Sequence, residues 1–304
     1  MISKIENNNW KRRQFVSTMA AATLAFAFDM FPKISFAGFA DDDITIQQII
    51  DRFIASIPAA PFSQTVDGVK SGDASQKVKG IVTTMFATID IIGQAASIGA
   101  NFIIAHEPTF FTGNDATDWL TDNELYKYKH GLLEKHNIVV WRCHDYLHKH
   151  VPDGVLMETL KTLGWDRYYN AQNPHVLNIP ENSLENIIHY TKSKLNISHA
   201  RFVGKLSQSC KKIALLPGHV GGIPQMQAID KEKPDLLIVG EVHEWETSEY
   251  VRDLQRMDGA TSLLVLGHIA SEEPGMQWLK QWLDTTFPQI KTIHIPNTEV
   301  FSWA

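Results

Sequence analysis

Residues 101–108 read Asn-Phe-Ile-Ile-Ala-His-Glu-Pro: a short apolar run, then a histidine, a glutamate and a proline that ends any sheet ladder. An unbroken apolar run of this length suits a strand buried on both faces, as in a parallel sheet with helices on either side. Three further segments have the same form, running through Ile138–Arg142 to His144, through Leu236–Val239 to His243, and through Ser262–Leu266 to His268. Strands of a parallel α/β sheet end at one edge, and ligands collect in the crevice outside those carboxyl ends. His106, His144, His243 and His268 are therefore expected to converge.

Further ligand-type residues stand beside them: Glu107 after His106, His148 four after His144, and Glu272 four after His268. Imidazoles mixed with carboxylates suit zinc, iron, manganese or nickel, whereas magnesium and calcium prefer oxygen alone. A transition-metal centre is expected. Neighbouring side chains diverge at a strand end, so His106 and Glu107 can serve two ions rather than chelate one. Ser271 is expected to cap a helix that starts at Glu272, with Pro274 tolerated in its first turn.

Around these strands the spacing predicts helices over 44–57, 89–99, 124–136, 155–163, 183–194, 225–231, 246–257 and 272–283, with Thr45 a cap of the first. Strands are expected at 79–87, 200–203 and 212–216, and 290–295 closes as an edge strand. Two halves, about 44–165 and 211–304, share one coarse design of strand, helix, strand and terminal histidine, with 166–210 as the crossover. The expected class is α/β, with two interleaved, pseudo-duplicated halves. The turn at Gly218-His219-Val220-Gly221-Gly222 could offer backbone N–H groups to an anion.

The first forty residues stand apart. Lys11-Arg12-Arg13-Gln14-Phe15-Val16 precede an apolar run from Met19 to Phe31 and small residues at Ser35–Ala40, the order of a twin-arginine export signal. Residues 1–40 are read as that signal and 41–304 as the mature domain, placed in the periplasm or cell envelope, with no stable membrane insertion after cleavage. Five basic residues (Lys4, Lys11, Arg12, Arg13, Lys33) and two acidic ones (Glu6, Asp29) would leave with it. The 28 Lys and Arg and 34 Asp and Glu of the whole chain then fall to 23 and 32, moving the formal charge from −6 to −9. Such a balance, without basic clusters, argues against nucleic-acid binding. Two cysteines, Cys143 and Cys210, make no disulfide framework.

With these motifs together, residues 44 to the C-terminus resemble the NGG-interacting-factor-like family, also called GTP cyclohydrolase I type 2 homologues. The resemblance rests on Asp67-Gly68, Gly72-Asp73, NFIIAHEPTFF at 101–111, HDYLH at 144–148 with Gly154, GHVGG at 218–222, VGEVHEWE at 239–246, and GHIASE at 267–272. It implies a toroidal, hexameric protein in which one domain holds two divalent metal ions per chain. The ligands carried over by position are His106, Glu107, His148, His268 and Glu272. Where the family has His-His-Pro this chain has His106-Glu107-Pro108, and where the family has a terminal aspartate it has His148. A histidine and a carboxylate have traded places, and three imidazoles and two carboxylates remain.

His144 is then a proton carrier or an additional ligand, and His243 and Glu241 are expected to line the same cavity and serve catalysis. The remaining histidines, His130, His136, His150, His175, His189, His199 and His294, read as surface or boundary residues. The export signal and the expected dinuclear centre together are read as an exported metal-dependent hydrolase acting on a small molecule, with a non-enzymatic metal-binding or scaffold protein as the competing class. GTP ring opening, implied by the family's second name, ranks lower for an exported protein.

Overall fold

Thr45 and Gln48 bond each other's backbone in a capping box, and that box starts helix α1 (Ile46–Ile54). Its apolar positions Ile46, Ile49, Ile50 and Phe53 are buried, as their spacing predicts. The computed structural model describes residues 44–257 and 261–304; the expected signal at 1–40 lies outside the described residues. No helix among the described residues is long and apolar enough to cross a membrane.

The described residues form two five-stranded sheets. In the first, β2 (Ile81–Thr84), β3 (Phe102–Ala105) and β4 (Val139–Arg142) run parallel, and β1 (Gly68–Ser71) lies antiparallel against β4. Every residue of β2, β3 and β4 is buried, which is why their sequences carry no polar alternation. Helices α2 (Ile89–Ser97) and α3 (Glu124–Lys135) connect them, and the short α4 (Asp145–Lys149) and α5 (Gly154–Thr162) follow β4.

In the second sheet β7 (Ser209–Leu216), β8 (Leu236–Val239) and β9 (Ser262–Val265) run parallel between two antiparallel edges, β5 (Val176–Ser183) and β6 (Arg201–Val203). Helices α6 (Leu184–Leu195), α7 (Gly222–Glu232) and α8 (Glu249–Leu254) belong to this half. Segment 166–210, read as a crossover, thus contributes both edges of the second sheet. Buried Leu215, Leu236, Ile238 and Leu264 pack with Leu156, Leu160 and Leu184, each such side chain stabilising the fold by about 1.5–3 kcal/mol.

The halves interleave through the last helix and strand. Helix α9 (His268–Thr286) leaves β9 of the second sheet, yet Met276, Leu279 and Leu283 pack into the core of the first. The chain then adds β10 (Thr292–His294) in parallel to β2 as an edge strand. Two details of α9 differ from the sequence expectation. The helix begins at His268, so Ser271 lies inside it rather than capping it, and Pro274 falls in the second turn, where it cannot donate to the carbonyl of Ala270. The cause is Gly267, whose φ of +100° turns the chain straight from strand into helix.

Candidate metal centre

Both sheets direct their carboxyl edges at one place. From the first come His106 and Glu107 beyond β3, and His144 and His148 beyond β4; from the second comes His268, with Glu272 one turn later on α9. The rings of His106, His144 and His148 cluster with centroids 4.7–5.0 Å apart. His268 Nε2 reaches Glu107 Oε1 at 3.1 Å and Glu272 Oε2 at 3.0 Å, so the two sheets meet through it.

All four imidazoles share one orientation. Each turns Nδ1 outward to an oxygen: His106 to the Cys143 carbonyl at 3.1 Å, His144 to Asp145 at 2.9 Å, His148 to Asp153 at 3.1 Å and His268 to Glu241 at 2.9 Å. Each turns Nε2 inward towards Glu107 or Glu272. His106 Nε2 lies 3.6 Å from Glu272 Oε2, His148 Nε2 3.7 Å from Glu272 Oε1, and His144 Nε2 3.8 Å from Glu107 Oε1. A carbonyl only accepts, so in the neutral ring of His106 the hydrogen is on Nδ1 and Nε2 presents a lone pair. That nitrogen is fully buried and has no hydrogen-bond partner. A ring nitrogen held so by an outer partner, with its lone pair sealed among carboxylates, is fitted to a cation. His106 with His144 and His148, and His106 with Glu107 and Glu272, each bring ligand atoms within 4.8 Å of one another.

The supports explain why the chain folds this way locally. Asp67 accepts the backbone N–H groups of His144, Asp145 and Tyr146 at 2.7, 3.1 and 2.8 Å, closing the start of α4 and fixing His144 and His148 on it. Arg142, buried, holds Glu107 Oε2 at 3.3 Å and Asp115 at 3.4 Å. Gly218 donates its N–H to Ser271 Oγ at 2.9 Å, so that amide of the glycine-rich turn is already engaged. Gly218 holds φ at +65°, which favours glycine, and a Cβ there would also collide with the Glu272 carboxylate.

The charges are mutually adjusted. Burial pushes the Glu107 carboxyl up, but the His268 hydrogen bond and the His106 and His144 rings bring it down to about 2. For Glu272, too, burial is outweighed, by His106 and His268, and its carboxyl is held well below the usual range. Burial opposes charge on His268, yet Glu107, Glu241 and Glu272 raise it to about 12. Asp153, then Glu272 and Glu107, overcome burial at His148 and raise it to about 9. His144 moves the other way, down to about 4, through burial and the neighbouring His106 and His148.

The centre opens into a cavity of about 1310 Å³, lined among others by Glu107, His144, His148, Glu241, His268 and Glu272. Of the residues expected to act there, Glu241 lines it and orients His268, and His144 stands among the inward imidazoles. His243 does not join them: its Nδ1 pairs with Glu246 at 3.0 Å and its ring stacks on exposed Trp245. His175, read as a boundary residue, does line the cavity, with Nδ1 on the Leu215 carbonyl. Asp145 and Asp153 were legible only as residues near histidines, and nothing in the sequence marked Asp67 as the clamp on α4.

This chain is similar to a Clostridium perfringens protein named GTP cyclohydrolase 1 type 2 homolog, 26% identical over 219 residues that cover 68% of this chain and 78% of that protein. Among solved structures it resembles the Staphylococcus aureus protein SA1388, with a TM-score of 0.69 at 22% identity over 86% of this chain and 100% of that one. A Bacillus cereus protein related to NIF3 superposes with a TM-score of 0.65 at 16% identity, over 86% and 99% of the two chains. At these identities the structural likeness speaks for the fold. The profile of one family matches residues 44–299, nearly all of the described chain, and the protein therefore belongs to the Duf34/NIF3 (NGG1p interacting factor 3) family.

Proposed function

We propose that the protein is an exported, oligomeric metal-dependent hydrolase of a small molecule, holding two divalent transition-metal ions in this centre. The observation that carries the reading is His106 Nε2, sealed from solvent without a hydrogen-bond partner inside a shell of inward imidazoles and carboxylates. His106, Glu107, His148, His268 and Glu272 would hold the ions, and the direction of its Nε2 adds His144 to them. Once bound there, such ions would supply an activated water and charge to polarise the bond under attack.

The chain's own groups supply the rest. Glu241, half exposed in the cavity and bonded to His268 Nδ1, keeps that ring in place and is the carboxylate set to accept a proton there. Arg142 keeps Glu107 directed at the histidines. His144, its pKa lowered, stays neutral and presents its lone pair.

The test is turnover of phosphoesters, nucleotides and cyclic amides by metal-loaded protein, with and without chelator. Chelator-sensitive turnover of one class is expected. Two bound ions without turnover of any class would leave a metal-binding scaffold, and GTP ring opening among the nucleotides would select the activity named for the clostridial relative.

A further inference from the structure

Lys129 lies outside the centre and carries an unsolved charge problem. It projects from α3, its residue is 5% exposed, and its ammonium donates to the Thr109 carbonyl at 2.5 Å. Among the described residues no carboxylate lies within 4 Å of it; Asp115, whose charge acts on it, already serves Arg142 at 3.4 Å and Lys70 at 3.7 Å. Glu107 is committed to His268 and Arg142. Lys70 and Arg142 thus occupy Asp115, and Lys129 is left with the Thr109 carbonyl and the rings of Phe110 and Phe111, at 5.8 and 5.1 Å, in place of a carboxylate.

The same cavity that touches the centre touches Lys129 and Thr109. The Thr109 hydroxyl is fully buried and has no hydrogen-bond partner. Phe111, also on the cavity wall, holds φ at +68°, a conformation that a bulky side chain rarely adopts, and its ring lies 5.1 Å from the Lys129 nitrogen. An ammonium held by a carbonyl but by no carboxylate, an unpartnered hydroxyl and a strained aromatic wall thus line one cavity.

We infer that Lys129 and Thr109 form a binding site for an oxyanion group, phosphate or carboxylate, of the small molecule that occupies the cavity. The ammonium and hydroxyl would each donate to it, and the anion supplies the negative charge that the protein leaves out. Burial lowers Lys129 to about 8, against the pull of Asp115, and a bound anion would favour its charged form. The inference deepens the proposed function, since it rests on the cavity holding a substrate, and it gives that substrate a negatively charged end.

The test uses the full chain, metal-loaded and chelated, titrated calorimetrically with inorganic phosphate and separately with acetate. Phosphate, acetate or both should bind in the chelated as well as the loaded state, and the tighter of the two names the oxyanion. Lys129→Met should weaken that binding at least about tenfold in both states, and Thr109→Val should weaken it about threefold or more. Lys129→Met removes a buried charge at nearly constant shape; if it nevertheless fails to fold, the isosteric Thr109→Val carries the test. Binding that disappears on chelation and is indifferent to both substitutions would place the anion on the metal and overturn the inference, as would no binding in either state. Lys129-dependent binding by a protein that takes up no metal would uphold this site and refute the metal reading instead.

Discussion

Glu272→Gln is the substitution that interrogates the centre most directly, because one nearly isosteric change removes the carboxylate facing three imidazoles. Glu272 lies 3.0 Å from His268 Nε2, 3.6 Å from His106 Nε2 and 3.7 Å from His148 Nε2. At an effective dielectric of about 20, the His268 contact alone amounts to roughly 5 kcal/mol of Coulomb attraction. Glu107 and Glu241 remain at 3.1 and 2.9 Å and retain most of that compensation. The net loss in chelated protein should therefore be that of one charged hydrogen bond, about 2 kcal/mol, or a Tm fall of roughly 4–8 °C. Metal binding should weaken by about a hundredfold, which at equal metal concentration removes up to about 2.7 kcal/mol of ligand-linked stability. Thermal unfolding of wild type and variant, each with chelator and with excess zinc, separates the two effects. A variant whose Tm rises with zinc as much as the wild type's, and which keeps its metal in elemental analysis, would show that Glu272 is no ligand.

Two further outcomes are expected. His268 and His148 are raised to about 12 and 9, so at pH 7 they carry protons that an incoming cation must displace. Metal affinity should fall as pH falls from 9 to 6, and calorimetry in buffers of different ionisation enthalpy should detect more than one proton released per chain; no release would contradict these assignments. Residues 1–40 fused to a reporter should direct it through the twin-arginine route, and Arg12→Lys with Arg13→Lys should retain it in the cytoplasm; unchanged export by the double variant removes the localisation.

Much of the α/β framework was legible because buried parallel strands need uninterrupted apolar runs, and 102–105, 236–239 and 262–265 supply them. Strand β1 escaped notice because Gly-Val-Lys-Ser has no such run and needs none at an edge. Periodicity finds faces, not partners, so it could not show that Asp67 holds α4 or that β10 returns to the first sheet. In the centre, His106, Glu107, His148, His268 and Glu272 were marked by their places after strands. His243 was marked by the same rule and stands apart because the turn after Gly240 sends Glu241, not His243, towards His268. Lys129 had no sequence signal at all: on a helix a lysine reads as solvated, and only the packing of 107–115 over it makes it buried.

Strand β10 pairs Thr292 with Ile81 and His294 with Thr83, contacts that close across more than two hundred intervening residues. During synthesis the outer edge of β2 thus stays bare until almost the whole chain has emerged, with its N–H and C=O groups open to pairing with other chains. Contacts of such long range also slow folding, because the loop entropy is lost before the pairing is gained. Strands β1 to β4 can pair as soon as residue 142 is made, but the first sheet, and with it the core that α9 completes, is closed only when the last strand docks.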